Sequence, residues 1–118
     1  MWEVEYTDEF GAWWETLPEE VQDSIARDVE VLRAIGPGLG RPRVDSVKGS
    51  RFSNMKELRT QQGGEPYRTL FAFDPRRCAI LLIGGNKTGD RRFYERMIPI
   101  ADKLYETYLE ELKKERLI

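Results

Sequence analysis

Histidine is absent from all 118 residues. That excludes Ser-His-Asp and Cys-His catalysis, histidine-ligated metals and any nuclease built on a histidine pair. Acid–base chemistry is left to lysine, tyrosine, arginine, aspartate and glutamate. Cysteine is nearly absent too. Cys78 alone can form neither an intrachain disulfide nor a cysteine zinc cluster, and its place at the head of an apolar run reads as a buried small hydrophobe. No apolar stretch reaches the length of a membrane span. The opening, MWEVEYTDEF, is acidic where a secretory signal is basic. The sequence therefore predicts no membrane association and a cytoplasmic protein, read as one domain over residues 1–118. An excess of positive charge is also missing, since the total is −2.

That total hides an uneven distribution. Residues 1–35 carry two basic residues against ten acidic ones, residues 36–92 twelve against five, and residues 93–118 five against six. A polyanion needs positive charge on one surface rather than in the sum. The middle block, net +7, keeps a nucleic-acid partner open. The plainer alternative is a solvated strand-and-loop region that happens to be rich in arginine.

Periodicity gives the elements. Trp2, Val4 and Tyr6 alternate with Glu3 and Glu5, the pattern of a half-buried strand. Thr7 has the character of an N-cap, with Asp8 and Glu9 in the first turn and Phe10, Trp13, Trp14 and Leu17 at helical spacing. A second helix starts at Pro18, buries Val21, Ile25, Val29 and Leu32, and stops at Gly36-Pro37-Gly38. Residues 36–54 read as a basic loop in which Val44 and Val47 suggest a short strand. Strands are predicted over 55–61, 67–74 and 78–83, separated by turns at 62–66 and 74–77. Connections this short demand an antiparallel meander. CAILLI, apolar on both faces, is expected at the centre of the sheet. A helix is predicted from Asp90 to Lys114, kinked or split by Pro99. The fold class is α+β, in the order β-α-α-β-β-β-α. It is an antiparallel sheet packed with an N-terminal helical hairpin and a C-terminal helix.

Three motifs carry possible chemistry. Gly85-Asn86-Lys87-Thr88 is not a phosphate-binding loop, because Asn86 and Leu81 stand where that loop needs glycines. What remains is a glycine-rich strand end presenting Lys87. Arg59 and Arg68 lie inside strands, where a guanidinium needs a partner. It is either an ion pair with Glu57 or a phosphate. Arg91, Arg92 and Tyr94 open the last helix near Lys87, a plausible anion site. Strand alternation puts Met55, Glu57 and Arg59 on one side and Lys56, Leu58 and Thr60 on the other.

MKELRTQQGGEPYRTLFAFDPRRCAILLIGGNKTG followed by RRFYERMIPIADKLYETYLEEL resembles the RelE/ParE toxin superfamily, and most of all its HigB-like, phage-derived branch. The resemblance extends over the strand–helix–helix start, including Leu17-Pro18-Glu19-Glu20. It implies a RelE-like fold and the toxin half of a type II toxin–antitoxin pair. It also implies a ribosome-dependent mRNA endonuclease that uses the ribose 2′-hydroxyl as nucleophile, without metal or cofactor. Arg59, Arg68 and Lys87 fall on the family's basic positions, with Lys56 and Tyr94 carried over beside them. Arg41, Arg43, Lys48 and Arg51 in the loop, together with Arg91 and Arg92, would grip RNA. The implied partners are an antitoxin of helix-turn-helix, DNA-binding type, the ribosome and mRNA. Two features set this chain apart: some family nucleases use a histidine, and most family toxins are basic. Within the same fold, a ParE-type gyrase inhibitor and a non-catalytic protein that only pairs with its antitoxin are the other readings.

Overall fold

Thr7 ends the first strand and starts the first helix with one hydroxyl. Its Oγ1 accepts from the Phe10 N–H at 3.0 Å and donates to the Leu82 carbonyl at 2.7 Å. In the computed structural model, which describes residues 1–118, the chain runs β1 Val4–Tyr6, α1 Asp8–Glu15, α2 Glu19–Ile35, β2 Val44–Ser46, β3 Lys56–Gln62, β4 Glu65–Phe73, β5 Ala79–Asn86 and α3 Phe93–Lys114. A 3-10 turn at Gly36–Gly38 closes α2. No helix is long and apolar enough to cross a membrane.

The five strands lie in the order β1-β5-β4-β3-β2. β3, β4 and β5 form the predicted antiparallel meander. The β3–β4 turn is tighter than expected. Gln62 pairs with Glu65, and only Gly63 and Gly64, with φ of 61° and 78°, make the bend. Both central positions of such a two-residue hairpin need positive φ, which glycine adopts without strain. β1 adds to β5 in parallel, so the sheet is a meander with one parallel edge strand. The centre is β4 rather than β5. β5 is apolar from Ala79 to Gly85 because helices cover both of its faces, α1 on one and α3 on the other.

Two cores flank the sheet. On one face Phe10, Leu32, Leu58, Phe71 and Leu81 pack under α1 and α2. On the other Met55, Leu70, Leu82, Phe93, Met97 and Tyr105 pack under α3. Two adjacent glycines of β5 make the close fit possible. A Cβ on Gly84 would come 2.2 Å from Trp13, and one on Gly85 would come 2.8 Å from Phe93. α3 passes through Pro99 as one helix instead of splitting there. It starts at Phe93 rather than Asp90, because the Asp90 carboxylate accepts the Arg92 N–H in a preceding turn. Cys78 is buried as expected, and burial pushes its thiol up to about 11. β1 departs from the half-buried expectation at Tyr6, which is 66% exposed.

Candidate functional site

Register brings the two strand arginines side by side. Arg59 of β3 and Arg68 of β4 are direct cross-strand partners, and Gly85 of β5 lies beyond Arg68. All three point to the α3 side of the sheet, with Glu57 one step along β3. Two cations placed opposite one another repel, so a counter-charge is required. Glu57 supplies it. Its carboxylate is buried, with a side chain only 4% exposed, and it accepts from Arg59 Nε at 3.2 Å. Arg68 Nε stands 3.8 Å from the other carboxylate oxygen. The ion pair that the sequence offered as the structural alternative is therefore present.

The carboxylate has a third neighbour. Tyr94, in the first turn of α3, donates its hydroxyl to Glu57 at 2.6 Å. Burial, and then the Glu57 contact, hold the Tyr94 phenol above its ordinary pKa, with Arg68 opposing. The phenol thus keeps its proton at neutral pH. Lys87, from the β5 strand end, places its ammonium 5.1 Å from the Tyr94 ring centre, within cation–π range. Lys87 forms no ion pair. Asp45 of β2, which sequence reasoning missed, bonds Arg59 at 3.2 Å and Arg41 at 3.0 Å. The Arg41 contact, above all, lowers the Asp45 pKa. No sequence signal marked Asp45, because a three-residue edge strand does not reveal its register.

The cluster does not saturate its arginines. Arg68 donates Nη1 to the Tyr67 carbonyl at 3.1 Å, but its buried Nε has no hydrogen-bond partner. That nitrogen is charge-paired with the Glu57 carboxylate at 3.8 Å without being hydrogen-bonded to it, so the pairing of the two arginines is incomplete at this atom.

The remaining sequence candidates divide. Lys56 is not in the cluster. Strand alternation turns it to the α1–α2 side, where Nζ lies 3.5 Å from the Pro37 carbonyl. Three of the four loop cations are engaged by carboxylates, Arg41 by Asp45, Arg43 by Asp28, and Arg51 by Glu106 at 2.6 Å. Lys48 remains unpaired and borders, with Arg51, Tyr94, Ile98 and Lys103, an open groove of about 680 Å³ between the loop and α3. Arg91 and Arg92 are exposed, and neither forms an ion pair. The loop is held in place by Asp102, another residue the sequence did not single out. Buried in α3, it accepts from Ser50 Oγ and the Arg51 N–H.

A second polar cluster lies at the far end of β4. The buried Asp74 carboxylate holds the N–H groups of Arg76 and Cys78, the Arg76 guanidinium at 3.1 Å and the Tyr108 hydroxyl at 2.8 Å. It ties the β4–β5 turn to α3 and leaves no unpartnered group.

A family model described as phage-derived, Gp49-like protein matches residues 12–106. HigB3 of Mycobacterium tuberculosis (strain ATCC 25618 / H37Rv), named as a candidate toxin, is 48% identical over 98 residues, covering 82% of this chain and 84% of HigB3. HigB2 of the same strain, named likewise, is 44% identical over 105 residues. That alignment takes in 87% of this chain but 52% of HigB2, so the chain spans about half of that relative. Among solved structures, the isolated E. coli RelE toxin aligns with a TM-score of 0.56 at 15% identity, over 85% of this chain and 99% of RelE. A chain of the RelE–RelB complex from Pyrococcus horikoshii OT3 aligns at 0.54 and 13%, over 75% of this chain and 97% of that one. At such identities the likeness is one of fold, and it bears out the RelE-like α+β architecture.

Proposed function

The chain belongs to the phage-derived Gp49-like family, with HigB proteins as relatives, and from that footing we propose that it is the toxin of a toxin–antitoxin pair and cleaves mRNA on the ribosome. The observation that carries the reading is the cross-strand Arg59–Arg68 pair, under-satisfied at Arg68 Nε and flanked by the unpaired Lys87.

The chemistry follows from the groups present. The RNA 2′-oxygen attacks the adjacent phosphorus, the bond to the 5′-oxygen breaks, and a 2′,3′-cyclic phosphate and a 5′-hydroxyl result. Negative charge grows on the phosphoryl oxygens, and guanidinium forks fit those oxygens. Tyr94 takes the 2′-hydroxyl proton as it passes its own to Glu57 along the 2.6 Å bond. Lys87 gives a proton to the departing 5′-oxygen. Without histidine this proton set is modest, and orientation of the RNA by the ribosome supplies the rest. Orientation supplies several kcal/mol of the barrier, roughly 7–11 kcal/mol in the best cases. Lys48, Arg91 and Arg92 add long-range attraction to the backbone. The family reading also supplies an antitoxin as partner, of helix-turn-helix type.

The test is the chemistry of the cut ends. Programmed ribosomes incubated with the protein should yield fragments ending in 2′,3′-cyclic phosphate and 5′-hydroxyl, and ribosome-free RNA should stay whole. Ends bearing 3′-hydroxyl and 5′-phosphate would remove the mechanism. One specific observation favours a second reading: Glu57 already pairs with both arginines, as in a protein that only binds its antitoxin. Uncut mRNA in the same reaction would select it.

A further inference from the structure

One edge of the sheet is open. The Ala79 N–H donates to the Glu3 carbonyl and the Thr7 N–H to the Leu81 carbonyl. The odd-numbered residues of the first strand therefore face β5, and alternation turns the N–H and C=O of Val4 and Tyr6 away from it. The Trp2 N–H, turned the same way, meets the Arg33 carbonyl of α2 at 2.9 Å. Nothing comparable engages Val4 or Tyr6, and Tyr6 is 66% exposed although it lies in a strand. Natural sheets normally cover or blunt such an edge.

A cavity opens on each side of this edge, and the two differ in chemistry. On the α1–α2 side, about 380 Å³ is enclosed largely by apolar groups, among them Phe10, Trp14, Val29 and Leu81. On the α3 side, about 610 Å³ is bordered by Glu5, Asp8, Glu9 and Glu111. Val4 and Tyr6 border both.

We propose that the free edge of β1 is the docking site for an extended segment of a partner protein, added to the sheet as a further strand, in which apolar residues alternate with basic ones. Main-chain bonds to Val4 and Tyr6 provide the affinity, and the two cavities read alternate side chains. The apolar residues enter the α1–α2 cavity and the basic ones face the carboxylates beside α3. A second copy of this chain does not fit, because its own β1 would set Glu3, Glu5, Asp8 and Glu9 against the same carboxylates. The proposal does not depend on the nuclease reading.

The experiment is amide hydrogen exchange on the isotope-labelled full-length protein, with heptapeptides as probes at up to about 1 mM. One peptide alternates lysine with leucine, the other glutamate with leucine. The lysine peptide should slow exchange at Val4 and Tyr6 about tenfold and leave Glu5, already bonded to β5, unchanged. The glutamate peptide should do neither. Tyr6→Pro removes one outward N–H without touching the β5 ladder and should weaken the lysine peptide roughly fivefold. Glu9→Lys with Glu111→Lys, both at exposed positions, should remove most of the preference for the lysine peptide, since Glu5 and Asp8 are then balanced by two lysines. No protection at Val4 and Tyr6, equal protection by both peptides, or protection that appears with protein concentration alone would each overturn the proposal.

Discussion

Glu57 has two tasks in one place, since it neutralises Arg59 and Arg68 and orients Tyr94. Removing one partner of a buried charge group leaves the others uncompensated, which costs roughly 3–5 kcal/mol. Arg68→Ala should therefore lower stability by about 3 kcal/mol in urea unfolding. Lys87→Ala, at a half-buried residue with no carboxylate partner, should change it by less than about 0.5 kcal/mol. Equal losses in the two variants would mean that Lys87 is structural. Much of this cluster was legible in the sequence. Alternation alone put Glu57 and Arg59 on one side of β3, and an in-strand arginine announced its need for a partner. The same alternation set Lys56 opposite, so the family resemblance and the residue pattern disagreed there, and the structure follows the pattern. Asp45 was not legible, because nothing local reports which residue of a short edge strand meets a distant arginine.

At the level of elements, the fit between α1, β5 and α3 depends on two residues without side chains. Gly84→Ala would put a methyl group 2.2 Å from the Trp13 ring. Trp13 is held between Phe10 and the sheet and has little room to retreat. Overpacking of this kind costs typically about 1–3 kcal/mol, so Gly84→Ala should lower the thermal midpoint by several degrees, whereas alanine at Gly38, with open space around its Cβ, should not. The sequence showed the strand, the turn and the helix that surround these glycines, but it gave Gly84 and Gly85 as the end of a strand. That they continue β5 to Asn86 follows from the helices stacked above them, a tertiary fact. Pro99 was likewise read by its local cost, and packing of Met97, Ala101 and Tyr105 against the sheet keeps α3 whole.

Over the whole molecule, charge and burial set how stability and activity respond to solution conditions. The Cys78 thiol is raised by burial to about 11, and Tyr67, Tyr94, Tyr105 and Tyr108 are all raised, first by burial. A raised folded-state pKa gives stability that is whole below the unfolded value and is lost as pH climbs toward the folded one. Unfolding free energy should therefore hold up to about pH 9, near the unfolded thiol value, and fall above it, more steeply beyond about 10 where tyrosines ionise. A midpoint still rising between pH 9 and 11 would contradict this. The separation of an acidic α1–α2 layer from a basic middle segment was plain in the sequence. Its consequence was not, because only the fold shows that most loop cations are already paired, leaving Lys48, Lys87, Arg91 and Arg92 without carboxylate partners. The most direct test of the account is primer extension on a defined mRNA in a purified translation reaction, comparing the protein with Lys87→Ala and Lys56→Ala. Cleavage that requires ribosomes, survives Lys56→Ala and is lost with Lys87→Ala is the predicted result. Cleavage that survives Lys87→Ala, or is lost with Lys56→Ala on the far side of the sheet, would contradict it.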